Sequence, residues 1–365
     1  MGTCRYCGKS AGWFSSHHKD CQKAHDSGMA DLSALIGDFF AQRITPASMS
    51  QRIQGLRSGC YLTDDDIAIE ASSHIARFSA AIQRPVSPRP MHLMEDFLRA
   101  TGVPFSRMNS NGAVDVFTKR MVGGLMTDYF NDTMTLAEAK NRCEKVLEKF
   151  PLSEDDKEDA YLHVLSKAAT IYLRKGMPTD NEALKTEQYI AALDLEPMVL
   201  PPAYENSDIP RLAQALVLKQ LQRGTVPAFR MVSGVMLSKG ETVLWVYPGV
   251  SLSEEKVTRE WQGRSSGWSF PVPLLKGVRY RVGGMKGHSV EHKSMEGVGV
   301  GSLYVTTKNL IFNSPTKGVR LPYSKLIGLQ PYTDGVEVVR DGTNQHRLVF
   351  SGFDPSFLVN LMSLL

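Results

Sequence analysis

The chain of 365 residues has only five cysteines and no apolar run near the roughly eighteen residues that a spanning helix needs. Each shortage excludes something. Without such a run no transmembrane helix is expected. Five cysteines are a poor basis for a disulfide framework, so a reducing, cytoplasmic setting is expected, with peripheral membrane contact open to it. The first residues are charged or Cys and His where a secretory signal would place its apolar region. Enzyme motifs are also missing. There is no phosphate-binding Gly-Lys-Ser/Thr loop, no dinucleotide Gly-x-Gly-x-x-Gly after a strand and no His-Glu-x-x-His helix. RVGGMKGH at 281–288 lacks the following helix and hydroxyl residue of a nucleotide loop. GRSSGWS at 263–269 lacks the strand-turn-helix setting of a nucleophile. A binding protein is expected rather than an enzyme.

The cysteines that are present are concentrated at one end. Cys4 and Cys7 form a Cys-x-x-Cys-Gly turn, and His17, His18 and Cys21 follow in HHKDC. Two thiolates on a tight knuckle, one imidazole and a third thiolate make a closed tetrahedral shell for zinc, with no position left for a reacting water. Gly8 lets the backbone leave the knuckle, and Trp13 and Phe14 are expected to supply a small apolar core. The histidine is either His18, in His-x-x-Cys, or His17, in His-x-x-x-Cys; His18 is favoured. His25 reads as a helix-surface residue. CRYCGKSAGWFSSHHKDC resembles the short zinc fingers at the start of many bacterial proteins, whose ligands fall as Cys, Cys, His in His-Lys-x-Cys, and Cys. That resemblance implies metal binding and no particular partner.

The middle of the chain repeats itself. Residues 29–83 and 119–173 align without a gap at a constant offset of ninety: Asp38, Phe39 and Phe40 fall on Asp128, Tyr129 and Phe130, Thr45 on Thr135, and YLTDDD on PLSEDD. Apolar residues three and four apart predict amphipathic helices in both copies, including Leu35 and Phe39 in the first and Leu125 and Tyr129 in the second. Thr63 and Ser153 stand where N-caps belong, so the acidic triplets after them read as first-turn residues at the positive helix end rather than as a cation site. Prolines in QRPVSPRPM, and again between Met177 and Pro210, mark breaks.

After Val226 the period changes from that of helices to that of strands. Alternating segments at 242–248, 276–283, 301–312, 319–323, 325–332, 335–340 and 346–350 are separated by turn residues. A final helix after Asp354-Pro355 is expected to pack through Phe357, Leu358, Leu361, Met362 and Leu365. GSLYVTTKNLIFNSPTKGVRLPYSKLIGLQPYTDGVEVVRDG resembles the central part of bacterial pleckstrin-homology-like and GRAM-like domains. The likeness lies in its Gly-x-Leu-x-x-Thr strand, Thr-x-x-x-Leu-Ile-Phe strand, Tyr-Ser-Lys turn and Asp-Gly hairpin. It spans roughly 235–365 and implies a seven-stranded, partly open antiparallel barrel capped by a helix, which binds phosphoinositides or peptides. The segment 249–298 is long for that fold, so an elaborated hairpin is expected there.

The expected organisation is multi-domain α+β: a zinc finger (1–27), a first helical repeat (28–84), a linker (85–118), a second repeat (119–176), a helical connector (177–225) and the pleckstrin-homology-like domain (226–365). Of the net charge of +4, the region from 226 onward supplies sixteen Lys and Arg against ten Asp and Glu. Arg279 and Arg281 share a strand face and, with Lys286, are the expected ligand-binding residues for an anionic headgroup. Lys276, Lys293, Lys308, Lys317 and Arg320 are further cations nearby in sequence. His288 and His292 share a face but lack a third metal partner. The leading expectation is a non-catalytic zinc-binding adaptor for a lipid or protein surface, in the manner of a stress or defence accessory factor. The alternative is a nucleic-acid-binding regulator that touches phosphates through Arg5, Lys9, Lys19 and Lys23 on the finger.

Overall fold

The computed structural model describes residues 2–12, 15–227, 234–265, 268–271, 279–282, 285–341 and 347–365, with side chains described outside 257–293. It divides into two compact units, Met1–Ala213 and Gln214–Leu365.

In the first unit a short antiparallel pair, β1 (Gly2–Thr3) and β2 (Ser10–Gly12), precedes α1 (Lys19–Phe40), α2 (Pro46–Cys60) and α3 (Asp64–Ala80). Then come α4 (Arg89–Thr101), α5 (Phe105–Met108), α6 (Ala113–Phe130), α7 (Leu136–Lys149), α8 (Glu154–Arg174) and α9 (Asp180–Ala192); α10 (Ile209–Gln222) crosses the unit boundary. The segment expected to be a linker thus holds α4, α5 and the first turns of α6. Its Phe97 is fully buried against Phe39 and Phe40, with ring centroids 5.7 and 4.8 Å apart. Apolar burial outweighs the helix-breaking prolines, which fall in the turn before α4 and at its first residues.

The helix ends fall where the capping residues place them. Thr45, Thr63, Thr135, Ser153 and Thr179 each accept a hydrogen bond from the backbone N–H three residues on. At Thr63 the exchange is reciprocal: Asp66 N–H donates to Thr63 Oγ1 at 3.2 Å and Thr63 N–H to Asp66 Oδ2 at 2.8 Å. The acidic triplets are held by cations of the protein, Asp64 by Arg57, Asp65 by Arg107 and Asp156 by Lys119. α1 and α6 end at Phe40 and Phe130, α2 and α7 begin at Pro46 and Leu136, and α3 and α8 begin at Asp64 and Glu154. Gln42 and Asp132, also ninety positions apart, both take the left-handed conformation that reverses the chain after a helix.

One contact between helices is unusually close. A Cβ on Gly28 of α1 would lie 2.4 Å from Cys60 Cβ at the end of α2. Gly28→Ala is therefore expected to destabilise the helical unit by about 1–2 kcal/mol, overpacking outweighing the gain in helix propensity. The measurement is the denaturant midpoint of the helical circular dichroism, and a midpoint at or above that of the parent would contradict it.

The second unit is a seven-stranded antiparallel sheet in the order β8-β7-β6-β3-β11-β10-β9. Its strands are β3 (Val243–Ser265), then β6 (Met285–Thr306), β7 (Asn309–Asn313), β8 (Gly318–Pro322), β9 (Leu326–Pro331), β10 (Gly335–Arg340) and β11 (Leu348–Ser351), with β4 (Trp268–Pro271) and β5 (Arg279–Val282) paired to one another. The expected barrel is not closed. The end strands β8 and β9 exchange no ladder; the 3-10 turn Tyr323–Lys325 redirects the chain between them, and α11 (Ser356–Met362) packs beside the free strand β9. The segment 301–312 is two strands, because the chain turns at Thr307-Lys308. Of the residues expected to anchor the last helix, Phe357, Leu358 and Leu361 are buried, with Phe357 against Trp245 at 4.9 Å, while Leu365 is exposed.

The motif residues have local reasons. A Cβ on Gly301 would lie 2.2 Å from the Asn313 carbonyl, so the strand crossing demands glycine. Leu303 fills the core. Thr306 is wholly buried and donates to the Glu241 carboxylate at 2.6 Å. β3 and β6 pair along their whole length, past Glu254 where β11 stops, as a long hairpin that runs towards β4 and β5.

Candidate metal centre

Cys4 and Cys7 sit on the knuckle between β1 and β2. Gly8 N–H donates to the Cys4 carbonyl at 2.9 Å and Cys4 N–H to the Lys9 carbonyl at 2.7 Å, which fixes the turn. His18 is the N-cap of α1 and Cys21 lies in its first turn, so the third and fourth donors are delivered by a helix whose body is the first element of the helical unit. The expected boundary between finger and repeat therefore falls inside one continuous helix.

The donor atoms of Cys4, Cys7, His18 and Cys21 all lie within 4.8 Å of one another. His18 Nδ1 is 3.4 Å from Cys7 Sγ and 3.7 Å from Cys21 Sγ. A tetrahedral zinc with ordinary bond lengths separates sulfur from nitrogen by about 3.6 Å, so the spacing fits such an ion. The second ring nitrogen settles the choice of histidine. His18 Nε2 is 2.9 Å from the Ser10 carbonyl, which accepts its proton and leaves Nδ1 free to face the thiols. His17 turns instead towards Ser16 and stands edge-on to Tyr6.

Electrostatics readies the Cys4 thiol for a metal. Burial opposes ionisation of Cys4, but backbone N–H donors from Cys7, His18 and Tyr6 outweigh it and bring the thiol down to about 6. The Ser10 carbonyl, followed by Cys7, raises His18 above its ordinary value. Burial pushes Cys21 up, and a bond with Cys7 adds to this. Cys143, by contrast, is a core residue: burial pushes its thiol up to about 12, and Sγ meets only the Val122 carbonyl at 3.8 Å.

No known protein family, curated protein or solved structure matches this chain. Its chemistry is therefore read from its own atoms. The Cys-Cys-His-Cys group is close enough to hold a metal ion, and it is the one such cluster among the described residues.

Sequence reasoning missed how the knuckle is docked. His25 is not a free surface residue: its ring packs on Tyr6 at 4.8 Å and Nε2 lies 3.5 Å from Asp66 Oδ2. Burial opposes it, but Thr63 and His25 together hold the Asp66 carboxyl below its usual range. Tyr61, at the left-handed end of α2, faces Cys21, which raises its hydroxyl pKa. These contacts join the metal group to the ends of α2 and α3.

The other expected site residues fare differently. Trp13, Phe14, Lys276 and the side chains of Arg279, Arg281, Lys286, His288, His292 and Lys293 lie outside the described residues. By backbone register Arg279 and Arg281 stand opposite Pro271 and Ser269, and Lys286 opposite Arg264. Lys317 and Arg320 are engaged internally, pairing with Glu254 and Glu241, and Lys308 Nζ donates to the Lys239 carbonyl at 2.9 Å. Arg5, Lys9, Lys19 and Lys23 are exposed around the knuckle. No helix among the described residues is long and apolar enough to cross a membrane.

Proposed function

We propose that the protein is a non-catalytic, zinc-stabilised adaptor: a finger fused to a duplicated helical unit, followed by a pleckstrin-homology-like unit that engages an anionic phospholipid surface. One observation carries the reading. The stretch 256–293, which includes the far ends of β3 and β6, holds eight Lys and Arg against two Glu, a net charge equal to the whole positive surplus of the C-terminal third. A predominantly positive run of sequence suits a broad anionic surface, where each added cation strengthens attraction and salt weakens it. A seven-stranded antiparallel sheet followed by a terminal helix supports this reading of the second unit. Zinc is the ion that the three thiolates and one imidazole suit best, and its part in this reading is structural.

The test is flotation with vesicles of phosphatidylcholine alone or mixed with phosphatidylserine. The chain is expected to float with the anionic vesicles only, and the triple variant Arg279→Gln/Arg281→Gln/Lys286→Gln to stay behind. Retention of the triple variant on anionic vesicles would refute the site. Duplex DNA binding that falls steeply with salt and disappears on chelation would favour the nucleic-acid reading instead, with contact through the exposed cations of the finger.

A further inference from the structure

An open cleft of about 470 Å³ lies between α3, α6 and α8, within the range of small-molecule sites. Its charged lining is four cations, Arg84, Lys119, Arg120 and Lys167, against Asp159. Arg84 enters from the turn after α3, Arg120 from α6, and His163 and Lys167 from α8. Lys119 also reaches the cleft but is already neutralised, with Nζ 2.7 Å from Asp156 and 3.0 Å from Asp159. Arg120 and Lys167 have no ion pair among the described residues. Arg84 has Asp128 as its opposing charge, and that carboxylate already accepts the Val86 N–H at 2.6 Å. The crowding of positive charge is felt by its members. Burial, then Arg84 and Arg120, depress the Lys167 ammonium, and burial, then Lys167, depress His163 below its ordinary value.

Two features show that the arrangement is built rather than incidental. The first is a pinned turn: Val86 is held through its N–H by Asp128 and through its carbonyl by Arg142, and its side chain occupies the space that a Cβ on Gly124 would need, 2.6 Å away. Arg84 is thereby fixed at the mouth of the cleft, and the neighbouring Gly123 leaves the floor bare. The second is the internal comparison. Ninety positions before Arg120 stands Ala30, so a helix triplet of this kind does not require that charge for packing, whereas Lys167 falls on the cation Arg77.

We propose that the cleft binds a small phosphorylated organic anion, whose phosphate is gathered by Arg84, Arg120 and Lys167. Guanidinium forks suit phosphate oxygens, and an incoming dianion relieves the repulsion among the three cations. Ala76, Ala80 and Val116 offer an apolar wall for the organic body. At the far side the Tyr204 hydroxyl donates to Asp159 Oδ1 at 2.8 Å, leaving carboxylate lone pairs for a ligand hydroxyl or amine. This proposal does not depend on the metal or on the hairpin.

Calorimetric titration of the full chain with ATP, and separately with inorganic phosphate, tests it. Saturable binding of one ATP per chain, tighter than phosphate, is expected. Arg120→Gln and Lys167→Gln should each weaken it by about tenfold or more, the usual effect of losing one charge-assisted bond. Gly123→Leu should block it with every charge retained; a Cβ at Gly123 meets only Val164 Cγ2, at an ordinary 3.7 Å, and an unchanged helical circular dichroism and denaturation midpoint check that the variant stays folded. The exposed Arg52→Gln on α2 should leave affinity unaltered. No saturable binding of either anion, or affinity unchanged in the cleft variants, overturns the proposal. Equal affinity for phosphate and ATP removes the organic body from it.

Discussion

Removing the metal ligands is expected to produce the largest change in this protein. The purified chain should carry about one zinc, and Cys4→Ser/Cys7→Ser should carry none, as a closed four-ligand site requires. Structural zinc sites supply roughly 10 kcal/mol or more of binding free energy to the segment that they organise. The knuckle from Gly2 to His18 has one buried apolar residue among those described, Cys4 itself, so little else holds it. Its order should be lost in the variant while the bundle persists, because α2, α3 and α6 to α8 pack around apolar residues of their own such as Ile53, Ile75 and Phe117. The loss should reach as far as the start of α1 and the Tyr6–His25 contact. Elemental analysis measures the metal, and hydrogen exchange across 2–25 measures the reach. A variant that keeps its zinc, or a parent chain that holds no metal, would remove this centre from the account. Acid should release the ion too, since protons compete with it for the thiolates.

Glu241→Ala should produce the second largest loss, in the sheet unit. The Glu241 side chain is fully buried at the start of β3, 3.1 Å from Arg320. Oε1 accepts from Thr306 Oγ1 and from Asn309 Nδ2, both at 2.6 Å, and Oε2 from the Ser238 N–H at 2.8 Å. Burial opposes its charge, yet these donors, with Arg320, bring the carboxyl down to about 2. Truncation strands several buried donors and a guanidinium together, a cost of about 3 kcal/mol. Glu254→Ala, which removes only the more exposed pair with Lys317, should cost under about 1 kcal/mol. Chemical denaturation of the two variants, read by tryptophan fluorescence, compares them; equal losses would show that the network contributes no more than a surface pair.

The same carboxylate gives a pH dependence of definite sign. Its folded value lies below the ordinary 4.5, so the native state holds the proton less tightly than the unfolded chain. The stability that it contributes is complete above about 4.5 and is lost as the pH falls towards 2. Glu241→Gln, which cannot ionise, should flatten the denaturation midpoint across that window. A variant whose midpoint falls with acid as steeply as the parent's would contradict this.

How far such features were legible from sequence depended on how local they were. The knuckle was legible because Cys-x-x-Cys and His-x-x-Cys are spacings that a turn and the first turn of a helix impose on neighbouring residues. The caps at Thr63 and Ser153 were legible for the same reason: a hydroxyl reaches the N–H three residues on in any protein. An elaborated hairpin within 249–298 was expected because that segment is long for the fold the resemblance implies, and β3 and β6 pair there as far as Ser265 and Met285. Where sequence reasoning failed, competition between distant parts decided. Prolines before α4 suggested a linker, but Phe97 finds Phe39 and Phe40, and burial makes the segment helical. Strand alternation ran unbroken through Thr306 and Asn309, where only the resemblance implied two strands, and the turn between them follows from the bonds that Thr306, Asn309 and Glu241 share.

By itself the sequence determined the donor set at the N-terminus, the ninety-residue echo between two helix triplets, and the change from helical to strand period near Val226, since each is written in spacings of a few residues or in direct self-similarity. Only the tertiary structure decided which histidine faces the thiols, that the sheet stays open, that Glu241 is buried among donors, and that Arg84, Arg120 and Lys167 share one cleft. The physical reason is common to all four. Each depends on side chains far apart in the chain meeting at a distance of a few ångströms, and no local periodicity encodes which of the many exposed cations, carboxylates or imidazoles will meet.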